Sequence, residues 1–233
     1  MALTLYLAMT AAEMQNCTTV PPHMAWMACH FSPYSCGISN VPQALAPGSM
    51  LILNDRIPPQ GHSPELVAEQ LAQAAEELEV ARVLLDFQRT EDPLTAKIAE
   101  AVVQACSCPV GVTPGYAAGL DCPVFLTPQL RKGLKEQLEL WQGRPVWLEA
   151  AWDCEQADIT EKGCVCSPAP LPREASVFHT DEALHCRYYL ELEDDRARFT
   201  IWREQEQLQA LLAEAQALGI DCAVGLYQQL GKA

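Results

Sequence analysis

The sequence lacks the features that mark several classes of protein. It has no run of about 18 or more apolar residues, so no membrane-spanning helix is predicted. Basic residues are scarce, with 15 Lys and Arg against 30 Asp and Glu, and the formal net charge of −15 would repel a phosphate backbone or an anionic membrane. Nucleic acid is therefore not expected as a partner. A neutral or cationic ligand such as a carbohydrate stays open, and the oligomeric state is not indicated.

The N-terminal segment and the cysteines argue against a secretory signal and against a metal site. No Lys or Arg precedes the first apolar residues, and the stretch breaks at Glu13, so we interpret it as a β-strand rather than a secretory signal. The eleven cysteines, several of them beside apolar runs, predict reduced thiols in a cytoplasmic protein, with secretion as the alternative. The pairs Cys106 with Cys108 and Cys164 with Cys166 are spaced more tightly than ordinary zinc pairs. We therefore predict no metal and no other cofactor, with zinc as the less favoured alternative.

Eight short apolar runs recur along the chain and dominate its pattern. With 49% hydrophobic and 19% charged residues, the 233-residue chain has ample material for a core. Most runs are unbroken rather than alternating, which is typical of parallel strands buried on both faces. The runs cover residues 3–9, 25–31, 50–54, 81–88, 110–113, 124–127, 146–150 and 223–227.

Helical patterns separate several of these runs. Ser63 is a suitable N-cap with Pro64 at the first helical position, and Pro93 begins a second helix that ends near Ala105. Two further helices are expected over residues 129–140 and 204–218. Alternation of strands and helices predicts βαβ units, and eight such strands would close a (β/α)8 TIM-like barrel.

An open doubly wound sheet is the alternative fold. Such sheets often carry a glycine-rich turn after the first strand, whereas the first run here leads into TAAEMQNC, which has no glycine. The barrel is therefore favoured. The connections after the first, second and fifth runs are too short or too rich in proline for full helices, so the ring of helices is expected to be incomplete.

Residues 153–203 interrupt the rhythm of the barrel. The segment LHCRYYLELEDDRARFTIWR, residues 184–203, alternates on both sides of EDDR and predicts an antiparallel hairpin. A second strand pair is expected in DITEKGCVCSPAPLP. We interpret residues 1–233 as a single barrel domain with residues 153–203 as a β-hairpin subdomain between the seventh strand and its helix.

Asp86 and Gln88 end the fourth run, and their two-residue spacing places them on one face of a strand. If that face points inward, both reach the C-terminal mouth, where TIM barrels place their active sites. The run LLDFQ resembles the end of the Asp-x-x-Asp-x-Asp-x-Glu motif of glycoside hydrolase family 18, the chitinase-like barrels, with Asp86 at the final Asp. The resemblance implies that Gln88 replaces the proton-donating Glu. The alternative is a solvated strand end without chemistry.

The resemblance extends to the topology of the whole chain but to few motif residues. The insertion after the seventh strand and the closing segment LGIDCAVGLYQQLG are similar to the family, with Tyr227 where a Trp is typical. The earlier Asp residues of the motif are absent, since Val83 and Leu84 occupy that stretch. The third run ends in LILNDR rather than in a Ser-x-Gly-Gly pattern.

Other polar and aromatic residues follow the predicted strands and could share the mouth, although each could equally have a structural role. Converging carboxylates, amides and rings suit a sugar, whose hydroxyls need polar partners and whose faces stack on aromatics. The catalytic candidates are Asp86, Glu149 and Asp55. The candidate ligand-binding residues are His30, Tyr34, Asn54, Gln88, Tyr116, Trp152 and Tyr227.

Three functional hypotheses follow. An amide cannot deliver a proton near neutral pH, so the resemblance implies a carbohydrate-binding, non-catalytic barrel. The first alternative is an active glycosidase that uses a displaced carboxylate such as Glu149 or Asp55. The second is a protein-interaction barrel that engages a partner through Tyr34, Trp152 and the insertion.

Overall fold

Eight parallel strands form the centre of the computed structural model, which describes residues 2–89, 92–161, 163–172, 177–193 and 196–231. Most begin and end within a residue or two of the predicted runs. The barrel strands are β1 (Thr4–Met9), β2 (Met24–Phe31), β3 (Met50–Asn54), β4 (Arg82–Asp86), β5 (Val110–Val112), β6 (Val124–Leu126), β7 (Val146–Ala150) and, after an insertion, β13 (Cys222–Leu226).

The strands close into a barrel. Strands β1 to β7 pair in parallel, each with the next. Strand β7 then pairs with β13, and β13 pairs with β1 to close the barrel. Leu7 of β1 lies beside Met24 of β2 on one side, and Tyr6 lies beside Val224 of β13 on the other. The predicted TIM-like barrel is therefore confirmed, and the open sheet is excluded. A two-residue strand at Ile38–Ser39 adds one antiparallel pairing to the end of β2.

The helices form an incomplete ring, as predicted. They are α1 (Ala11–Asn16), α2 (Pro64–Glu77), α3 (Pro93–Ala105), α4 (Leu134–Glu139), α5 (Gln205–Ala217) and α6 (Tyr227–Leu230). Two of them begin as predicted, because Ser63 accepts a hydrogen bond from the backbone N–H of Leu66 and Pro93 occupies the first turn of α3. None of the helices in the described ranges is long and apolar enough to cross a membrane.

The third predicted helix is shorter than expected. It was expected over residues 129–140, whereas α4 covers only Leu134–Glu139. The side chain of Gln137 accepts from the backbone N–H of Gln129 at 2.8 Å and donates to the carbonyl of Lys132 at 2.7 Å. These bonds hold the preceding residues in a loop that ends at Gly133, the N-cap of α4.

The insertion between β7 and α5 forms a separate antiparallel sheet. Its strands are β8 (Asp153–Thr160), β9 (Gly163–Pro168), β10 (His179–Asp181), β11 (Cys186–Glu193) and β12 (Arg196–Arg203), in the spatial order β9-β8-β12-β11-β10. Strands β11 and β12 are the predicted hairpin, and β8 and β9 are the predicted second pair. The centre of the predicted EDDR turn, Asp194 and Asp195, lies outside the described residues. The division into one domain with an inserted subdomain stays a prediction.

Arg203 links this sheet to the barrel. The residue is only 2% exposed. Its guanidinium donates to the carbonyls of His185 at 3.1 Å and Leu184 at 3.2 Å, which precede β11, and to the carbonyl of Pro128 at 3.4 Å, just beyond β6. Burial lowers the pKa of this guanidinium, because the low-dielectric surroundings disfavour its charge.

Alternation along the strands separates two cores. In β4, Val83 and Leu85 face outward and pack with α2 and α3, while Leu84 faces the barrel interior. The interior cluster also contains Met50 and Trp147 from other strands. Because Asp86 is two residues beyond Leu84, it continues the inward-facing row of β4 to the C-terminal end of the barrel.

Candidate functional site

A cavity of about 530 Å³ opens at the C-terminal ends of the barrel strands. Its floor is apolar and its rim is polar, as in ligand-binding pockets generally. The apolar and small lining residues are Ala8, Met27, Ala28, Ile52, Leu84, Phe125, Ala150, Ala151, Val224, Gly225 and Leu226. The polar lining residues are Thr10, His30, Asn40, Asn54, Asp55, Arg56, Asp86, Gln88 and Glu149.

Asp86 and Gln88 share the rim beside β3 and β4. Asp86 lies directly across from Asn54 in the parallel register of the two strands. The Gln88 amide donates from Nε2 to Asp86 Oδ1 at 2.5 Å. Burial raises the pKa of the Asp86 carboxyl and the charge of Asp55 adds to the rise, while the bond from Gln88 opposes it.

Glu149 contributes a second carboxyl from β7. Thr127, which follows β6, donates its hydroxyl to Glu149 Oε2 at 2.5 Å. Burial raises the pKa of Glu149, the charges of Asp86 and Asp153 raise it further, and the Thr127 bond opposes the rise. The cavity therefore holds two carboxyls whose surroundings disfavour the ionised form. No lysine or arginine of the described chain is hydrogen-bonded to either of them.

The carboxylate of Asp55 is hydrogen-bonded to the backbone of the loop that follows β4. Its side chain is buried, and its two oxygens accept the backbone N–H groups of Gln88 at 3.0 Å and Arg89 at 2.7 Å. The Arg89 side chain also donates to the Asp55 carbonyl at 3.0 Å. Since both carboxylate oxygens hold the loop that follows β4, Asp55 is placed to position Gln88 rather than to transfer a proton.

Asn54 and His30 support the neighbouring wall. Asn54 donates to the carbonyls of Met27 at 3.1 Å and Cys29 at 2.8 Å, where the pairing of β2 with β3 is irregular. His30 Nδ1 lies 2.8 Å from the carbonyl of Phe31, and His30 Nε2 lies 2.9 Å from Asn40 Nδ2. In these contacts Nδ1 donates to the Phe31 carbonyl and Nε2 accepts from the Asn40 amide.

Four of the candidate ligand-binding residues do not line the cavity. Tyr34 is 96% exposed on a loop, and Tyr116 is buried with its hydroxyl donating to the carbonyl of Arg89. Trp152 lines a smaller depression at the start of α5, and the hydroxyl of Tyr227 lies 3.3 Å from the Cys17 sulfur. The expected gathering of aromatic rings at the mouth is therefore absent from these positions, and a ligand-binding role for them stays a prediction.

Three residues at the site were not among the predicted candidates. Phe125 is the aromatic ring that lines the cavity, and it was part of a predicted strand without being singled out. Asn40 bonds His30 from a left-handed backbone conformation with φ 60°, and Thr127 bonds Glu149 across neighbouring strands. A period-2 pattern through residues 125 and 127 is the signal that could have found two of them.

The thiols form no evident metal centre. All eleven cysteines are free, and the Cys164 and Cys166 sulfurs lie 3.7 Å apart on β9. Among the residues that the structure describes, no group of three or more His, Cys, Asp or Glu side chains has the arrangement of a metal site. The predictions about zinc and about cofactors stay untested.

Comparison with known proteins gives structural matches alone. No family model and no curated protein matches the sequence. A class V chitinase mutant from Cycas revoluta, solved with (GlcNAc)3, matches with a TM-score of 0.61 at 12% identity, over 98% of this chain and 96% of that chain. A chitinase from Chromobacterium violaceum matches with a TM-score of 0.58 at 12% identity, over 98% and 95% of the two chains.

A third match widens the group beyond chitinases. The Bacillus cereus spore cortex-lytic enzyme SleL matches with a TM-score of 0.54 at 11% identity, over 96% of this chain and 70% of that chain. Another structure of the Cycas revoluta enzyme, described as a family GH18 chitinase bound to allosamidin, matches with a TM-score of 0.60. At these identities the likeness establishes the fold, and the chain has the barrel fold of the family 18 chitinases, as the resemblance of LLDFQ predicted.

Proposed function

We propose that this barrel binds a carbohydrate in the mouth cavity and does not hydrolyse it through the position of the family's acid. The observation that carries the proposal is the pairing of Gln88 with Asp86, because the motif resemblance implies that this amide replaces an acidic proton donor. An amide cannot protonate a leaving oxygen near neutral pH, and this one already donates to its neighbour at 2.5 Å.

The shape and lining of the cavity support a sugar ligand. A volume of about 530 Å³ falls within the range of small-molecule sites. Phe125, Leu84 and Ile52 offer an apolar floor to the C–H faces of a sugar ring, and the rim offers carboxylates and amides to its hydroxyls. The matched Cycas revoluta structures contain GlcNAc oligomers, which is a reason to begin with β-linked oligosaccharides.

Glycan binding tests the proposal directly. The purified chain is applied to a glycan array, and hits are titrated by calorimetry against the wild type, Asp86→Asn and a matched control, Glu69→Gln, on the exposed face of α2. We expect Asp86→Asn to weaken binding about tenfold, because it removes a charged hydrogen-bond acceptor, and Glu69→Gln to change nothing. Absence of glycan binding would overturn the proposal and favour the protein-interaction hypothesis.

A second candidate function rests on Glu149. This carboxyl is half-buried, and its pKa is raised by burial and by the charge of Asp86, which are properties of a general acid. If the proton donor has moved there, the wild type hydrolyses a substrate in a glycosidase panel, Glu149→Gln abolishes that hydrolysis, and Gln88→Ala preserves it. The binding proposal predicts no hydrolysis by the wild type.

Restoring the acid gives a further test of the same site. Gln88→Glu supplies a group able to carry a proton, but the other motif carboxylates are absent, since Val83 and Leu84 occupy their stretch. We expect at most weak turnover of an acetamido-sugar substrate, measured as release of a fluorescent leaving group. Full activity from this single change would show that the other carboxylates are dispensable.

A further inference from the structure

We infer that the sugar for this cavity carries a free, protonated amino group next to its ring hydroxyls, as in an oligosaccharide of de-N-acetylated hexosamine. The inference rests on the proposed function and specifies its ligand class. It follows from the distribution of hydrogen-bond donors, acceptors and charges around the cavity.

Most polar side chains at the rim already use their donors on the protein itself. Asn54 donates to two backbone carbonyls, and the other donors are each bonded to one protein acceptor. These bonds run from Gln88 to Asp86, from Asn40 to His30, from His30 to Phe31, from Thr127 to Glu149, and from Thr10 to Glu13. The donors left for a ligand are the second amide N–H groups of Gln88 and Asn40 and the guanidinium of Arg56, so a ligand that brings hydrogens of its own fits the rest of the rim.

By contrast, two carboxyl groups at the rim each have one oxygen that no described residue bonds. Asp86 accepts one hydrogen bond through Oδ1, and Glu149 accepts one through Oε2. The described residues supply no hydrogen bond to the second oxygen of either carboxyl. A primary ammonium presents three donors, so it suits two carboxylates that face one cavity.

The charges lead to the same ligand. Asp86 is faced by Asp55, and Glu149 is faced by Asp86 and Asp153, so each carboxyl has acidic neighbours. Burial and these neighbours raise both pKa values, which means that the ionised forms lack compensation. A bound ammonium would supply that compensation, whereas a neutral acetamide would not, and a carboxylate would add to the repulsion.

Arg56 is the exception that has to be considered. Among the described residues, Arg56 is the only lysine or arginine that lines the cavity, and it is exposed at the rim. Its backbone N–H bonds Asn54 Oδ1 at 3.2 Å, and its guanidinium is not among the groups that shift the pKa of Asp86 or Glu149. An acidic sugar would require Arg56, whereas an amino sugar would be repelled by it.

A matched ligand series tests the inference. The three ligands are β-1,4-linked glucose-type tetrasaccharides that differ at carbon 2, which bears a hydroxyl, an acetamido group or a free amine. Binding to the full chain is measured by calorimetry at about pH 6, where a primary amine carries its proton. We expect the amine to bind about tenfold or more tightly than the other two, because it alone brings a positive charge to the two carboxylates.

Variants locate the effect. Asp86→Asn and Glu149→Gln should each weaken amine binding about tenfold more than they weaken hydroxyl-ligand binding, and Glu69→Gln should change neither. Arg56→Gln should strengthen amine binding. Wild-type binding should also release protons, since the ammonium lowers the carboxyl pKa values, and the observed heat should therefore depend on the ionisation enthalpy of the buffer.

The outcomes separate this inference from the proposed function. Equal or tighter binding of the acetamido or hydroxyl ligand would overturn the inference and leave the proposed function standing. Preferential binding of an oligouronate that Arg56→Gln abolishes would also overturn it. Failure of every sugar to bind, with the protein folded by circular dichroism, would remove the proposed function itself.

Discussion

The two ends of strand β4 each carry a charged side chain, but only one of the two is paired with a group of opposite charge. At the N-terminal end, Arg82 bonds both carboxylate oxygens of Asp221, with a shortest distance of 3.0 Å. Its guanidinium also lies over the rings of Trp147 and Tyr6, at 5.2 Å and 5.9 Å from their centroids. At the C-terminal end, Asp86 has an amide as its hydrogen-bond partner and acidic groups as its neighbours.

The difference distinguishes a stabilising end of the barrel from the end that holds the proposed binding site. Arg82 and Asp86 belong to the same strand and are separated by only three residues, so the local backbone cannot explain why one charge is neutralised and the other is not. TIM barrels place stabilising residues at the N-terminal face and reactive residues at the C-terminal face. Removing the paired charge of Arg82 should therefore destabilise the fold, whereas removing an uncompensated carboxylate at the mouth should stabilise it.

The largest expected effect is at the N-terminal end. Arg82→Met should lower the free energy of unfolding by about 2 to 3 kcal/mol, since it leaves Asp221 without its ion-pair partner and removes the cation–π contact with Trp147. Urea denaturation followed by tryptophan fluorescence measures the change. The exposed Arg56→Met is the control and should shift stability by less than about 0.5 kcal/mol. Equal losses in the two variants would remove the distinction between the ends.

The next effect is at Asp55, which behaves like a residue of the stabilising end although it lies at the mouth. Asp55→Asn should cost about 2 kcal/mol, because one acceptor oxygen is replaced by an N–H₂ group that faces the backbone N–H of Gln88 or Arg89. Chemical denaturation gives the free energy, and amide exchange at Arg89 reports the loosened loop. An unchanged exchange rate would show that the carboxylate does not hold the loop.

The smallest effect has the opposite sign. Glu149→Gln should raise stability at neutral pH by about 1 kcal/mol, because it removes a buried ionised carboxyl and keeps the acceptor for Thr127. The folded-state pKa of Glu149 is raised, so the native protein binds more protons and wild-type stability falls as pH rises through that pKa. Denaturation curves between about pH 4 and pH 8 should show a flatter profile in the variant. An unaltered slope would place Glu149 in water.

The sequence predicted the elements whose signals are local. Pro64 and Pro93 begin helices because proline suits the first turn, and the unbroken apolar runs became buried parallel strands. Asp86 faces the interior because the period of a strand extends from Leu84. The start of α4 was missed because Gln137 bonds backbone groups up to eight residues earlier, which no helical pattern shows.

The site was harder to predict because its partners are distant in sequence. Tyr116 follows a strand, yet a 3-10 turn at Pro114–Tyr116 directs its ring to Phe87 in the core. Thr127 meets Glu149 across two strands, 22 residues away. Strand order and register decide such contacts, and a single sequence states neither. The inward direction of a strand residue could therefore be predicted, whereas the identity of its neighbours could not.

The anchoring of Arg203 has a consequence for how the molecule unfolds. Its buried guanidinium is bonded to carbonyl groups from the inserted sheet side and from the loop beyond β6, so separating the two would leave a positive charge without hydrogen-bond partners. The inserted sheet is thus not free to detach as an independent flap. We expect the backbone amides of β12 and of the barrel wall beside Pro128 to exchange with solvent through one shared cooperative opening.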